Sequence, residues 1–383
     1  MISKPKSIVI VGSAHPLRGG LANYNERLAR AYQEQGNEVK IFTFSLQYPN
    51  FLFPGKTQYS DESKPDDLDI EVSLNSVNPI SWIALGRKIK KIAPDLLIIK
   101  FWIPFMGPCL GTVARIAKRN RKTKVITIID NIIPHEKRLG DRILANYFVG
   151  GVDGFISMSQ SVLDDLKTFD QKKPKIFTPH PVYDNFGQPV DKLFALRKLE
   201  LNPQHKYILF FGFIRDYKGL DLLLRAMADQ RIKDLDLKLI IAGEFYTDAK
   251  PYYEIIEKYQ LENQLVLATD FIPDSKVGDY FNAVDMVVQP YKEATQSGVT
   301  QIAYHFEKPM LVTNVGGLPE IVPHLKTGYV VDVDPMKIAD AIMDFYDNNR
   351  ELEMIENCRQ EKTKYSWETM LSKIEEVSNG VKK

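Results

Sequence analysis

The chain has 383 residues, of which 44% are hydrophobic and 26% charged, a composition typical of a globular protein long enough for two domains. Its only cysteines, Cys109 and Cys358, exclude a disulfide framework and a cysteine-based zinc cluster. The formal net charge is +1, but residues 1–188 hold 26 Lys/Arg against 18 Asp/Glu and the remainder holds 24 against 31, so the halves carry +8 and −7. The basic half favours contact with anionic lipid or a phosphate-bearing acceptor, and scattered solvated charge is the alternative interpretation.

The sequence also bears on where the protein acts. The first residues run into a predicted strand without the apolar region of a signal peptide, and no apolar segment reaches the roughly 20 residues that a membrane-spanning helix needs. We therefore expect a cytoplasmic protein, whose contact with a membrane would be peripheral and at the inner membrane surface. The basic tracts at 87–91 and 118–124 lack interspersed aromatic residues and a nucleic-acid fold signature, so no nucleic-acid partner is expected.

The first half of the chain alternates between short β-branched runs and amphipathic segments. In chain order, the predicted elements are strand 7–12, helix 21–35, strand 39–44, helix 81–92, strand 96–100, helix 107–118, strand 124–129, helix 141–149, strand 154–157, helix 159–169 and strand 175–178. Repeated strand–helix units predict a doubly wound parallel sheet with a binding site at the carboxyl ends of its strands.

The second half repeats this alternation after a segment at 179–203 that carries four prolines and predicts an irregular linker. The predicted elements are strand 207–212, helix 219–228, strand 237–243, helix 248–259, strand 265–267, helix 276–282, strand 284–289, helix 299–306 and strand 309–312. The predicted fold class is α/β, with two facing doubly wound (Rossmann-like) domains and a cleft between them. The predicted boundaries are 1–185 for the N-terminal domain, 186–365 for the C-terminal domain and 366–383 for a final helix that could pack back on the N-terminal domain.

A turn with unusual chemistry runs from Glu293 to Gln301, between a predicted strand and a predicted helix. It combines an acid, small hydroxyl residues and a glycine, and it places backbone N–H groups beside the positive end of a helix. Such a turn suits a polyhydroxylated, anionic ligand, such as a sugar joined to a phosphate.

A basic turn, also after a predicted strand, carries Arg215 and Lys218 three residues apart, so that both side chains could point at one anion. The planar fork of Arg and the point charge of Lys together suit a diphosphate whose negative charge grows as it leaves. A surface turn with two solvated cations is the alternative interpretation.

Four segments of the second half resemble the C-terminal domain of retaining glycosyltransferases of the GT-B fold. They are Gly212-Phe-Ile-Arg215 with Lys218-Gly219, Glu293 to Gln301, Gly316-Gly-Leu-Pro-Glu320 and Lys326-Thr-Gly-Tyr-Val330. The chain is similar to the large family of nucleotide-sugar transferases used in capsule, O-antigen and exopolysaccharide assembly, and Gly19-Gly20 resembles the N-terminal glycine turn of that family.

The resemblance implies roles for the residues of both turns. Arg215 and Lys218 would bind the donor diphosphate and stabilise its charge, and Glu293 would lie close to the donor hexose. The second acid of the family motif, which usually holds the ribose hydroxyls, is replaced here by Gln301, whose carbonyl can still accept a hydrogen bond from a hydroxyl. The donor-binding candidates are Gly19, Gly20, Thr295, Gln296, Ser297, Gly298 and Gln301.

The N-terminal domain departs from the family pattern after the strand that ends in Ile128-Ile-Asp-Asn131. Relatives commonly place a histidine where this chain has Asp130, and His135 follows a few residues later. Asp130 could accept a hydrogen bond from a sugar hydroxyl, orient His135, or help to deprotonate an acceptor. An Asx turn at Asp130 and a helix-entry hydrogen bond of His135 are the alternatives.

The function that the resemblance implies is transfer of a hexose, with retention, from a nucleotide diphosphate sugar to a sugar or lipid-linked glycan in surface polysaccharide or glycoconjugate assembly. No cofactor and no catalytic metal are expected, since Asp332-Val-Asp334 imitates a metal-binding motif but predicts a loop before a helix. Two alternatives stay open: a sugar-nucleotide epimerase or hydrolase of the same fold, and a non-catalytic nucleotide-sugar sensor.

Overall fold

The computed structural model describes residues 5–49, 57–134, 138–295 and 297–381, and the chain divides into two compact units. Unit 1 comprises Met1–Pro181 and Ser366–Lys383, and unit 2 comprises Val182–Tyr365. The chain therefore leaves unit 1 a few residues before the predicted boundary at 185, and its last segment belongs to unit 1.

Unit 1 is built on a seven-stranded parallel sheet of order β3-β2-β1-β4-β5-β6-β7. Its strands are β1 (Ser7–Val11), β2 (Glu38–Leu46), β3 (Asp69–Asn75), β4 (Leu96–Phe101), β5 (Lys124–Ile129), β6 (Gly154–Ser157) and β7 (Lys175–Phe177). Its helices are α1 (Gly20–Glu34), α2 (Pro79–Ile92), α3 (Gly107–Ala117), α4 (Asp141–Val149), α5 (Gln160–Lys167) and the last helix of the chain, α15 (Trp367–Gly380). The central strands are apolar runs because a parallel sheet with helices on both faces buries both sides of each strand.

The helices of unit 1 cover the two faces of this sheet. Apolar side chains of α2, α3, α4 and α5 share one core with those of β1, β4 and β5, so these four helices cover one face. The last helix packs on β5, β6, β7 and α1. Its start is capped by the hydroxyl of Ser366, which accepts a hydrogen bond from the Thr369 N–H at 3.2 Å. The Trp367 ring lies 5.3 Å from that of Tyr24 in α1, and the Glu375 carboxylate lies 2.6 Å from the Lys6 ammonium.

Unit 2 is built on a six-stranded parallel sheet of order β10-β9-β8-β11-β12-β13. Its strands are β8 (Lys206–Phe211), β9 (Leu237–Ala242), β10 (Leu265–Ala268), β11 (Met286–Gln289), β12 (Met310–Thr313) and β13 (Gly328–Val331). Its helices are α6 (Lys192–Lys198), α7 (Leu220–Met227), α8 (Gln230–Lys233), α9 (Lys250–Tyr259), α10 (Asp274–Ala283), α11 (Gly298–His305), α12 (Leu318–Ile321), α13 (Pro335–Asp347) and α14 (Glu351–Glu361). The predicted α/β class with two doubly wound parallel sheets is confirmed.

The strand β3 and the helix α6 are among the elements that were not predicted from the sequence. The strand β3 pairs in parallel with β2 at the edge of its sheet, where only Ile70 and Leu74 are buried and the strand lacks the apolar run of a central strand. The interpretation of 179–203 as wholly irregular is wrong, because α6 forms within it. This helix is capped by Asp191, whose carboxylate accepts hydrogen bonds from the N–H groups of Leu193 at 2.9 Å and Phe194 at 3.3 Å.

Candidate active site

The basic turn follows β8 and leads into α7 at the carboxyl end of the unit 2 sheet. Arg215 is extended and begins a short 3-10 turn, Asp216–Lys218, and Gly219 with φ +68° precedes α7. A Cβ atom on Gly219 would lie 1.9 Å from the carbonyl oxygen of Pro290, just after β11. The turn therefore lies directly against the end of β11, and only glycine fits at this position.

The Lys218 ammonium points into this end of the sheet. Its Nζ would lie 3.1 Å from a Cβ atom placed on Gly212, and it lies 5.7 Å from the centre of the Tyr291 ring. Burial, together with the positive charge of Arg215, lowers the pKa of Lys218 to about 8. The Arg215 guanidinium lies over the Tyr246 ring at 5.3 Å. Two cations close enough to influence one another suit a ligand that carries two negative charges.

Lys292 joins the basic turn to the turn that contains Glu293. Its N–H donates to the carbonyl oxygen of Tyr217 at 2.7 Å, and its ammonium lies 2.9 Å from the carboxylates of both Asp216 and Asp221. Burial would lower the pKa of Lys292, but the hydrogen bonds to the two carboxylates outweigh burial and raise it. Lys292 was not predicted from the sequence, and these contacts link the basic turn to the Glu293 turn.

The start of α11 forms the second half of the Glu293 turn. The Ser297 hydroxyl caps the helix by accepting a hydrogen bond from the Val299 N–H at 3.2 Å, and it lies 3.4 Å from the Tyr291 hydroxyl. Gly298 is the first helical residue. Because α11 follows β11, its N-terminus lies at the carboxyl end of the sheet, as the basic turn does, and the N-terminus of a helix favours an anion.

The glycine segment at 316–320 packs on the Glu293 turn. Gly316 has φ +51°, and a Cβ atom there would lie 1.5 Å from the carbonyl oxygen of Ala294. The next N–H, that of Gly317, donates to the carbonyl oxygen of Thr295 at 3.2 Å. Glycine is therefore required for the close approach that fixes the backbone of the turn.

Gln301 is fully buried in α11, and neither its amide oxygen nor its amide nitrogen has a hydrogen-bond partner among the described residues. The same holds for Gln289 at the end of β11, which is 1% exposed. Leaving a buried polar group unpartnered costs about 1–3 kcal/mol. Native proteins contain few unpartnered buried polar groups, and a functional role is one explanation for those that they retain.

Unit 2 thus brings together Arg215, Lys218 and the turn from Glu293 to Gln301. Glu293 is exposed, Thr295 and Gly298 are half-buried, and Ser297 is buried. The predicted donor-binding residue Gln296 lies outside the described residues.

Unit 1 holds the other predicted residues. Gly19, with φ +95°, precedes α1, and Gly20 is its exposed first residue. Asp130 follows β5, and its N–H donates to the carbonyl oxygen of Phe101 at 2.9 Å. His135 lies outside the described residues, so the hydrogen bonds proposed for it stay predictions.

Asp130 takes part in a buried cluster at the carboxyl ends of β4 and β5. The Lys100 ammonium donates to its carboxylate at 2.7 Å and lies 3.7 Å from the centre of the Tyr24 ring. Burial lowers the pKa of Lys100, and Asp130 opposes this shift. His180 stands edge-on to Tyr24 at 5.1 Å, and burial together with the charge of Lys100 lowers its pKa to about 3.

Lys100 was not among the residues predicted for the site. The signal that could have found it is a lysine inside the otherwise apolar strand of sequence LLIIKF, since a fully buried charge in a central strand needs a partner. The Lys100–Asp130 pair therefore places a polar group at the carboxyl edge of the unit 1 sheet, as the two turns do in unit 2. Ligands bind at this edge in such folds.

The described residues contain neither a metal-binding cluster nor a membrane-spanning helix. In the part of the chain that the structure describes, no group of three or more His, Cys, Asp or Glu residues is placed to hold a metal ion. The Asp334 carboxylate instead caps α13 by accepting a hydrogen bond from the Met336 N–H at 2.7 Å, as predicted for a loop before a helix. Among the same residues, no helix is long and apolar enough to cross a membrane.

Comparison with known proteins identifies both halves of the chain. The family model described as "Glycosyl transferases group 1" matches residues 191–364, and that described as "Glycosyltransferase Family 4" matches residues 18–185. Over 371 residues the chain is 25% identical to the D-inositol 3-phosphate glycosyltransferase of Paenarthrobacter aurescens (strain TC1), covering 86% of this chain and 85% of that protein.

Solved structures share the fold. The glycosyltransferase from Rickettsia africae ESF-5 superimposes with a TM-score of 0.74 at 17% identity, covering 99% of both chains. Anabaena HepE, solved in complex with UDP-glucose, superimposes with a TM-score of 0.71 at 15% identity, covering 97% of this chain and 98% of that one. The chain therefore belongs to the glycosyltransferases of the GT-B fold, with a family 4 domain in its N-terminal half and a group 1 domain in its C-terminal half.

Proposed function

We propose that the protein is a retaining hexosyltransferase that uses a nucleotide diphosphate sugar and acts on a sugar or lipid-linked glycan during surface polysaccharide or glycoconjugate assembly. The observation that carries the proposal is that the basic turn and the Glu293 turn are linked to each other in unit 2. The cations Arg215 and Lys218 share one end of the sheet with the Glu293 turn, and Lys292 ties the turns together. The UDP-glucose complex of HepE supports a donor of this class.

In the proposed reaction, the bond between the anomeric carbon and the diphosphate oxygen breaks, and its electron pair stays on the diphosphate. Arg215 and Lys218 stabilise this growing negative charge by charge-assisted hydrogen bonds in a part-buried setting. The acceptor hydroxyl then forms the new bond on the same face of the sugar, and its proton passes to the leaving phosphate oxygen. Glu293 lies beside the hexose, and the backbone N–H groups of residues 294–299 bind its hydroxyls and the phosphate.

Gln301 would hold the ribose. Its amide oxygen can accept a hydrogen bond from a ribose hydroxyl, and its amide nitrogen can donate one, so both unpartnered groups would be satisfied on binding. A neutral amide makes weaker hydrogen bonds than the acid that relatives carry. Gln301→Glu should therefore preserve or tighten donor binding, and a large loss of affinity would place the ribose elsewhere.

Unit 1 would receive the acceptor. The Lys100–Asp130 pair is close to neutral as a unit, so it suits a hydroxyl of a sugar better than a phosphate. The relative from Paenarthrobacter aurescens, named for D-inositol 3-phosphate, supports a polyhydroxylated acceptor. A lipid-linked acceptor would bring the protein to the inner membrane surface, and the positive charge of residues 1–188 favours such peripheral contact.

The first experiment is a thermal-shift screen with uridine, guanosine and adenosine diphosphate sugars. A donor present at 100 times its dissociation constant stabilises the folded protein by about 2.7 kcal/mol, so the true donor stands out. Arg215→Gln and Lys218→Met should abolish the shift, whereas Lys250→Met, at an exposed lysine of α9, should preserve it.

The second experiment follows the sugar of that donor by NMR with a panel of glycan acceptors, with and without EDTA. We expect transfer with the same anomeric configuration in both conditions, because the proposed leaving-group charge rests on side chains. Sugar that is isomerised or released without acceptor would indicate an epimerase or hydrolase, and donor binding without turnover on any acceptor would indicate a sensor. Either result would contradict the transferase proposal.

A further inference from the structure

Exposed apolar side chains are concentrated in one part of unit 1. Among its described residues, the exposed large hydrophobic side chains other than Tyr59 and Val72 lie on α2, on α4 or in the residues that lead into these helices. They are Val77, Ile80, Ile83, Ile92, Leu139, Ile143 and Tyr147, of which Ile80 is 77% exposed and Ile143 73%. Single exposed apolar residues are ordinary, but a concentration on two helices of one layer indicates an interaction surface.

The two helices lie in the same layer and present this surface outward. On one side of α3, Gly86 of α2 packs against Ile116; on the other, the Thr112 hydroxyl lies 2.9 Å from the Tyr147 hydroxyl of α4. Along α4, Ile143 and Tyr147 are four residues apart, so they share a stripe opposite the buried side chains of the helix, and Leu139 lies just before the helix begins. We name the outward face of α2 and α4 the α2–α4 face.

Three of the four helices of this layer, α2, α3 and α4, carry mostly positive charge. Helices α2, α3 and α4 together contain six Lys/Arg residues and a single acid, Asp141. Arg87 and Lys91 continue the outward stripe of Ile80 along α2, and Arg138 and Arg142 flank Leu139 and Ile143. Apolar residues among cations, with hardly any acid, are complementary to a bilayer that carries anionic headgroups.

The topology also places the apolar end of the surface near the proposed acceptor residues. Each crossover helix of a parallel sheet runs opposite to the strands, so the first turns of α2 and α4 lie at the carboxyl edge of the sheet. Ile80, Ile83 and Ile143 occupy those first turns, and Asp130 follows β5 at the same edge. A membrane on this face would present a lipid-borne acceptor on the side where Asp130 lies.

We propose that the α2–α4 face is a docking surface for an anionic lipid bilayer. Ile80, Ile83 and Ile143 enter the boundary between headgroups and acyl chains, and the arginines of the same face meet lipid phosphates. This surface locates the peripheral contact suggested above for a lipid-linked acceptor. Binding to vesicles does not require turnover, so the surface is testable even if the proposed reaction is wrong.

The test is co-sedimentation of the full chain with vesicles of phosphatidylglycerol and phosphatidylethanolamine, against vesicles of phosphatidylcholine alone. We expect binding to the anionic vesicles that weakens in 0.5 M salt, and little binding to the zwitterionic ones. Ile80→Ser with Ile143→Ser should lower the partition coefficient by on the order of tenfold or more. The matched control is Met336→Ser with Leu352→Ser in unit 2, at side chains 67% and 80% exposed, which should bind as the unchanged protein does.

Two further measurements make the outcome decisive. Each variant is checked for an unchanged unfolding temperature, so that lost binding is not lost folding. Arg87→Gln with Arg142→Gln should reduce binding to anionic vesicles and remove most of its salt dependence. The proposal is overturned if the unchanged protein binds no vesicle, or if the isoleucine variant binds as tightly as the control. A concentration-dependent dimer that the isoleucine variant abolishes would assign the face to a second copy of the chain and would equally overturn it.

Discussion

Lys218 is the residue whose charge state matters most to the proposed donor site. With a pKa of about 8, it is mainly protonated at pH 7 and mainly neutral at pH 9 in the unliganded protein. The diphosphate is bound by the protonated form, so affinity is highest below pH 8 and falls as the pH rises above it.

We predict that the association constant for a nucleotide diphosphate sugar falls between pH 7 and pH 9, by at most about tenfold per pH unit above the pKa. In Lys218→Arg the guanidinium stays charged throughout this range, so affinity should be nearly independent of pH even if it is weaker. Titration calorimetry at three pH values checks both proteins. An equal decline in the arginine variant would show that another group titrates.

The Lys100–Asp130 pair allows a second prediction at this scale. Removing one partner of a buried ion pair costs about 3–5 kcal/mol, because the remaining charge loses an interaction that offset its burial. Lys100→Met and Asp130→Asn should each approach this loss in the free energy of unfolding, and the double variant should lose clearly less than their sum. The exposed pair Lys167–Asp164 is the control, since Lys167→Met should change stability by less than about 1 kcal/mol. Additive losses in unit 1, measured by denaturant unfolding, would contradict the coupling.

Sequence could single out Arg215, Lys218 and Glu293 as candidates because each stands in a local motif whose spacing suits the chemistry, and their roles stay predictions. Lys100 and Lys292 were not predicted because folding brings them to partners that are distant in the sequence. Asp130 follows the neighbouring strand of the sheet, and Asp216 and Asp221 lie on another turn and helix. A lysine in a strand or a turn has no sequence pattern that distinguishes an ion pair from a solvated side chain.

At the scale of elements, the glycine segment that supports the Glu293 turn provides a matched comparison. Gly316 has φ +51°, and a Cβ there would lie 1.5 Å from a backbone oxygen of the turn, whereas Gly36 has φ +80° with nothing within 4 Å. Both positions carry the strain of a left-handed backbone, and only Gly316 adds a collision.

We predict that Gly36→Ala costs about 1–2 kcal/mol of stability from backbone strain alone. Gly316→Ala should cost more and should also weaken donor binding, because the glycine segment must move away from Ala294 and Thr295. Denaturant unfolding and donor titration of the two variants test this. Equal losses of stability with unchanged donor affinity would show that the segment does not position the turn.

Element prediction succeeded where apolar periodicity was strong. The limits predicted for the helix at 141–149 and the strand at 154–157 coincide with α4 and β6. It failed for β3, whose edge position exposes most of its side chains, and for α6, a helix of seven residues in a proline-containing segment. Both depend on neighbours in space, since β3 pairs with β2 and α6 packs on α10.

At the scale of the whole molecule, α15 contributes to the stability of unit 1, although it follows unit 2 in the sequence. Met370, Leu371, Ile374 and Val377 of α15 are buried, and each such side chain contributes roughly 1.5–3 kcal/mol by burial. A Cβ atom on Gly154 of β6 would lie 2.5 Å from Val377, which shows how closely the helix approaches the sheet.

We predict that a chain ending at residue 365 unfolds in two separate transitions, with unit 1 strongly destabilised and unit 2 little changed. A chain ending at Gly380 should behave as the full chain does, since the contacts of α15 are retained. Calorimetry with and without donor assigns the transitions, because donor raises only that of unit 2 if the site lies there. Equal destabilisation of both transitions by the longer truncation would contradict the assignment of α15 to unit 1.

The division into two units has a consequence for how the protein is made. Unit 2 has all of its residues once Tyr365 has left the ribosome, whereas unit 1, most of which is made earlier, still lacks α15, which covers part of its sheet. The outgoing and returning segments meet where the Val182 N–H donates to the Tyr365 carbonyl oxygen at 2.9 Å. The residues of unit 1 that are made before unit 2 must therefore wait, with part of their sheet uncovered, until α15 is translated, and a premature stop before this helix would damage the unit that is made first.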